Sequence, residues 1–150
     1  MNELVVAAAT DADLDAIDEI EQHSFKTPWP RETFQGELTR ECARLDVGRT
    51  GGRLVVFWNY WLVANELHIH VIATHPDFRG RGLARQLLDH VIDAARRTGC
   101  SLATLEVRRS NVPAIALYER AGFKTVHVRT RYYQDDNEDA LVMLRELAAT

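Results

Sequence analysis

Apolar residues recur along this chain with two periods, and the places where the period changes predict its elements. Residues 4–8 form an apolar run of strand length. Thr10 suits a helix cap, with Asp11 and Asp13 in the first turn and Leu14, Ile17 and Ile20 on one helical face. The other face carries Asp15, Asp18, Glu19 and Glu21, a solvated surface or one that favours a cationic substrate. Prolines on either side of Trp29 then break the helical period across residues 24–30, where the indole is either a core plug or a ligand contact. The period resumes over residues 31–39 through Phe34 and Leu38. Strands are predicted at 45–47 and 53–64, joined as a hairpin at Gly51-Gly52, and Asn65-Glu66 turns the chain into the next strand.

That next strand organises the rest. Leu67, Ile69 and Val71 alternate with polar residues, and Ile72 and Ala73 follow. His75-Pro76-Asp77 ends the strand, Arg79-Gly80-Arg81-Gly82 comes at once, and from Leu83 the period becomes helical through Leu87, Leu88, Val91, Ile92 and Ala95. A strand, a glycine–arginine turn and a helix start offer backbone N–H groups and the positive end of a macrodipole to an anion. Arg79 and Arg81 sit where the dipole favours an acid, a conflict that a bound polyphosphate resolves. Three patterns compete for the turn. A P-loop needs Gly-Lys-Ser/Thr, which is missing; a dinucleotide fingerprint lacks its third small residue, although Glu106 lies at a tolerable distance for a ribose contact. The form [RQ]-x-x-G-x-[GA] is met by Arg79, Gly82 and Ala84.

Arg96 and Arg97 suit the end of this helix and Gly99 stops it; residues 101–107 then form a strand expected to lie parallel to its predecessor. A short helix carries Ala114, Leu117 and Tyr118, Gly122 ends it, and strands at 123–128 and 140–144 enclose a polar loop at 134–139. A mixed α/β sheet with helices on both faces is predicted. At 150 residues the chain reads as one domain, and 27% charged with 46% apolar residues is ordinary for a soluble protein. Net charge of −4 argues against a nucleic-acid binder. Cys42 and Cys100 have neither zinc spacing nor the density of a disulfide scaffold, and reduced thiols are expected. Without a signal peptide or an apolar run of spanning length, a cytoplasmic protein away from the membrane is expected.

Several residues have a structural reading beside a chemical one. Glu106 faces away from Leu105 and Val107 and is either solvated or a base; Asn111, before Pro113, is a good helix cap; Tyr118 is a packed aromatic or a proton donor. Glu66, His68 and His70 alternate on one strand face, a spacing that strands also produce by chance; they read as cleft residues, and no metal is expected.

Taken in order, Arg79-x-x-Gly82-x-Ala84, Glu106, Asn111 and Tyr118 resemble the GNAT acetyltransferases. LEVRRSN, ALYERAGF, Arg131-Tyr132-Tyr133 and the Phe25, Pro28-Trp29 segment resemble more narrowly the RimI-like ribosomal-protein alanine N-acetyltransferases. The resemblance covers nearly the whole chain and implies a mostly antiparallel sheet with one parallel βαβ unit, acting as a single acetyltransferase domain (residues 1–150). It implies acetyl-CoA as co-substrate, with Ile72, Ala73 and Thr74 on the pantetheine arm and Gly80, Arg81, Gly82, Leu83, Ala84 and Arg85, after Arg79, on the pyrophosphate. Asn111 would also meet the cofactor, Glu106 would be the general base, Tyr118 the general acid, and Trp29, Tyr132 and Tyr133 would face the acceptor; His70, outside the family's signature, is expected beside them as a cleft residue. The implied partner is the N-terminus of a ribosomal protein, met by a monomer or weak dimer. Val71 departs from the family's frequent Asn, Ile72-Ala73-Thr74 from Ile-Ala-Val, and Ala84 takes the place of a glycine. Two other functions remain: a GNAT acting on small amines or lysine side chains, and an acyl-CoA-binding module without turnover.

Overall fold

A computed structural model describes residues 3–147. Seven strands, β1 (Val5–Ala8), β2 (Ala43–Thr50), β3 (Arg53–Val63), β4 (Glu66–Thr74), β5 (Leu102–Arg108), β6 (Lys124–Arg129) and β7 (Ala140–Glu146), form one sheet in the order β1-β2-β3-β4-β5-β7-β6. Four α-helices accompany it: α1 (Leu14–Ser24), α2 (Arg31–Glu37), α3 (Leu83–Arg97) and α4 (Val112–Arg120). β4 and β5 are parallel, the relation expected for strands that flank a helix, whereas β1–β2, β2–β3, β5–β7 and β6–β7 are antiparallel. No helix among the described residues is long and apolar enough to cross a membrane.

The described residues fall into two compact units, residues 3–61 with 70–87 and residues 62–69 with 88–147. In the first, Leu14, Ile17 and Ile20 of α1 and Phe34 of α2 join Leu45, Val47, Leu54, Phe57, Val71 and Ala73 in one core. α1 begins later than the capping residue Thr10 suggested, because a 3-10 turn at Asp11–Asp13 precedes it; there Asp13 Oδ2 accepts the Thr10 N–H at 2.9 Å. Asp13 is itself buried and ion-paired with Arg49. Glu21 departs from the acidic face predicted for it. It stands seven residues after Leu14, two turns along the apolar stripe, and is only 2% exposed. β2 is longer than its apolar centre suggested, since exposed Arg44 alternates with buried Ala43 and Leu45. The β3–β4 turn lies at Ala64-Asn65, both with positive φ, one residue earlier than predicted.

In the second unit the parallel pairing covers Glu66↔Leu102 to Ile69↔Leu105, and β5 then pairs with β7 along its full length. Leu67, Ala103, Leu105, Val107, Phe123 and Met143 are buried here, as are Val91, Ile92 and Ala95 of α3. β6 is the outer strand, and its register on β7 shifts between Thr125 and His127. Both cysteines are free thiols, with Cys100 buried.

Candidate active site

The turn between β4 and α3 is fixed from beneath by His75. Its N–H reaches Val55 O at 2.7 Å, its Nδ1 accepts the Asp77 N–H at 3.1 Å, and Arg53 Nη2 meets its Nε2 at 3.1 Å. Phe78 closes this base, with the guanidinium carbons of Arg53 and Arg81 at 5.3 and 4.8 Å from its ring centre. Gly80 and Gly82 have φ of 78° and 76°, and a Cβ on either would meet nothing within 4 Å. Backbone conformation, and not space, therefore calls for glycine at both. The first bond of α3 runs from Gln86 N–H to Gly82 O at 3.1 Å, so the N–H groups of its first turn point out of the helix end. Arg81 and Arg85 are exposed beside them, and Leu83 and Ala84 are half-buried. Such an end suits a pyrophosphate. Ile72, Ala73 and Thr74 lie on β4 beyond its last residue paired with β5.

Arg79 points elsewhere. Its Nε donates to Thr74 O at 3.1 Å, and its Nη2 to His23 O at 3.2 Å and Ser24 Oγ at 3.0 Å, at the end of α1. After that end, the Trp29 N–H is caught by Glu21 Oε2 at 2.9 Å. The Trp29 ring lies 5.4 Å from Phe34 and 6.3 Å from exposed His70, and Trp61 lies 4.7 Å from the same imidazole. Trp29 is thus at once half core plug and half surface. Burial pushes the Glu21 carboxyl up to about 7, despite the Trp29 hydrogen bond that pulls it down. Its Oε1 is buried without a hydrogen-bond partner.

In the other unit Glu106 projects from β5 with 35% of its side chain exposed, and Arg129 Nε of β6 is 3.2 Å from its Oε2. The Tyr132 hydroxyl bonds to the same carboxylate, and the Arg129 guanidinium lies 5.4 Å from the Tyr132 ring centre. Tyr133 stands edge-on to Tyr132 at 5.2 Å. Tyr118, on α4, is 8% exposed and packs at 5.9 Å on Phe123. Burial, with Tyr133 adding to it, pushes the Tyr118 phenol up to about 12. A phenol in that state keeps its proton at neutral pH and has it to give. Asn111 caps α4, its Oδ1 accepting the Ala114 N–H at 3.3 Å.

A network that sequence reasoning passed over holds the tyrosine loop. Arg108 Nη2 donates to Asp135 at 2.9 Å, and Nη1 to Asp136 and Glu138 at 3.1 and 3.2 Å. Its guanidinium carbon sits 3.9 Å from the Tyr133 ring centre. Arg109 pairs with Asp139, and Glu138 accepts the Ser110 N–H at 2.7 Å. Arg108 ends β5 and Arg109 follows it, while their acidic partners lie 27 to 30 residues further on, between β6 and β7, so no local pattern links them.

The profile described as the acetyltransferase (GNAT) family matches residues 14–123. A [ribosomal protein bS18]-alanine N-acetyltransferase of Salmonella typhimurium is 38% identical over 145 residues, which cover 95% of this chain and 96% of that protein. The crystal structure of the ribosomal-protein-S18-alanine N-acetyltransferase from Escherichia coli superposes with a TM-score of 0.90 at 33% identity, covering 99% of this chain and 96% of that one. A NatC complex bound to Gag peptide and CoA shares the fold alone, with a TM-score of 0.81 at 22% identity over 97% of this chain and 99% of that chain. With a profile match over most of its length and relatives of this identity, the chain belongs to the GNAT family of acetyltransferases.

Proposed function

We propose that this chain moves an acetyl group from acetyl-CoA to the α-amine of a protein N-terminus, that of an alanine in a ribosomal protein of the bS18 kind. The observation that carries the reading is end-to-end similarity to an enzyme of that name, 38% identical over 95% of this chain. Glu106 and Tyr118 supply the two proton-handling groups the reaction needs. The chain acts as a single acetyltransferase domain, in the cytoplasm, as a monomer or weak dimer.

Acetyl-CoA supplies an activated acetyl group as a thioester. The loop after β4 offers its pyrophosphate the glycine backbone, the start of α3 and the side chains of Arg81 and Arg85, while Ile72, Ala73 and Thr74 offer backbone groups to the pantetheine arm. Asn111 serves first as the α4 cap, with its cofactor contact resting on the family pattern. An α-ammonium loses its proton at about pH 8, so neutralising it near pH 7 costs about 1.4 kcal/mol. Glu106 accepts that proton, directly or through one water. The neutral amine attacks the thioester carbonyl carbon; a C–N bond forms and the C–S bond breaks, the nitrogen's surplus proton passes to solvent, and Tyr118 gives its proton to the departing thiolate and recovers one from solvent. The chain itself need never be acetylated. Trp29, His70, Tyr132 and Tyr133 position the acceptor peptide.

Acetyl-CoA incubated with peptides that carry a free N-terminal alanine, a blocked N-terminus or an internal lysine tests this, with mass spectrometry locating the added acetyl group. Label on the free alanine amine is expected. Label on lysine alone, or on no peptide, sinks the proposal.

A further inference from the structure

The loop after β4 brings three arginines to one turn, yet they do not point to one task. We propose that Arg79 is a positioning residue for the acceptor side, holding the segment that carries Trp29, and not a ligand of the pyrophosphate. The inference deepens the proposed function and rests on its placing of Trp29 and His70 beside the acceptor peptide.

Arg79 bridges two elements. Its Nε holds Thr74 O, the last residue of β4, while its Nη2 holds His23 O and Ser24 Oγ at the end of α1. A guanidinium there meets the carbonyl end of a helix, where a cation is favoured and the last carbonyls lack helical partners. The Ser24 hydroxyl is suited to this use, since it donates to Ile20 O at 2.6 Å and so turns a lone pair toward Arg79. At Phe25 the backbone leaves the helix extended, with φ −130° and ψ 147°, bends at Lys26 and Thr27, and is caught again where Glu21 accepts the Trp29 N–H. Two tethers therefore bracket a five-residue span: Arg79 at its exit from the helix and Glu21 at the tryptophan. β4 carries His70, and the span carries Trp29. By tying the end of β4 to the end of α1, Arg79 sets the 6.3 Å separation of those two rings. A guanidinium already engaged with three acceptors has little left for a phosphate. Arg81 and Arg85, nearer the start of α3, are the cations for that purpose.

The test compares Arg79→Met with Arg81→Met and Arg85→Met in the full chain, using a peptide with a free N-terminal alanine. For Arg79→Met the peptide KM should rise about tenfold, the size of one hydrogen bond to a charged group, with kcat and the acetyl-CoA Kd within about twofold of the parent. Arg81→Met and Arg85→Met should weaken acetyl-CoA and spare the peptide KM. Arg79→Gln keeps a shorter donor and should fall between parent and Arg79→Met. Ser24→Ala removes the acceptor at the other end, should raise the peptide KM as well, and serves if Arg79→Met does not fold. Hydrogen exchange at the Trp29 amide reads the tether without any acetyl transfer, and should be faster in Arg79→Met or, failing that variant, in Arg79→Gln. If the parent acetylates no peptide, the functional reading fails, while this exchange still decides the tether. An acetyl-CoA Kd raised about tenfold in Arg79→Met with peptide KM unchanged, or Trp29 exchange equal to that of the parent, overturns the proposal.

Discussion

Glu106 already has a guanidinium and a phenol hydroxyl on its carboxylate, so an incoming ammonium must take the place of one cation with another. The balance of such an exchange is small when both states pair the carboxylate. What remains is the proton, and Glu106→Gln removes only the capacity to accept it, being nearly isosteric. That variant should lose activity near neutral pH and regain part of it as pH passes about 8, where an α-amine arrives neutral; a lysine acceptor would delay recovery to about pH 10.4. Parent-like turnover of Glu106→Gln at pH 7 would refute the assignment. Tyr118→Phe should lower kcat by about 10²–10⁴-fold, the usual range for a general acid, while acetyl-CoA binds as before. Its burial and raised pKa mean that the parent should show no loss of this proton at ordinary assay pH. Unchanged turnover in Tyr118→Phe, measured where chemistry limits the rate, would leave the phenol a packing group on Phe123.

Among the elements, α1 combines a core stripe with a buried acid, and the combination gives it a pH dependence. Glu21 titrates near 7 in the folded chain and near 4.5 when unfolded. Between those values the folded state holds a proton that the unfolded state has released, so stability is fullest below about pH 4.5 and falls as pH rises through about 7. The contribution is roughly 3 kcal/mol over that window. Glu21→Gln, still able to accept the Trp29 N–H, should flatten the melting temperature against pH there and raise it at pH 8. An equal slope in parent and variant would place the titration elsewhere. Glu21 also shows why part of the molecule was legible in the sequence and part was not. Among the described residues, alternation and helical stripes located the buried central strands and the helices, because burial imposes them residue by residue, whereas β1 and β6 are almost wholly exposed and carry no such alternation. The charged face predicted for α1 included Glu21, which is buried instead. Arg108 with its carboxylates was illegible for another reason: its partners stand 27, 28 and 30 residues away, and nothing local records such a pairing. Glycines at Gly80 and Gly82 were legible because positive φ excludes most alternatives.

For the whole molecule, the expected consequence of the phosphate loop is ligand-linked stability. A ligand bound only by the folded chain at 100 times its Kd adds about 2.7 kcal/mol. Acetyl-CoA should therefore raise the melting temperature, and dephospho analogues or NAD should raise it less. A larger shift with NAD would restore the dinucleotide reading of Gly80-Arg81-Gly82.

The register shift in β6 bears on crowding as well as on folding. A sheet with open edges invites strands of other chains to add to it. Here one edge is β1, only four residues long, and the other is β6, whose shift between Thr125 and His127 interrupts any template halfway along. Lys124 and Arg129 stand exposed near its two ends, so a copy of the same strand would meet like charges as well as a broken ladder. In concentrated solution that edge should resist fibrous association, and deleting Val126 to straighten it would leave a continuous template of five of its six residues that invites a partner only if those charges were removed too.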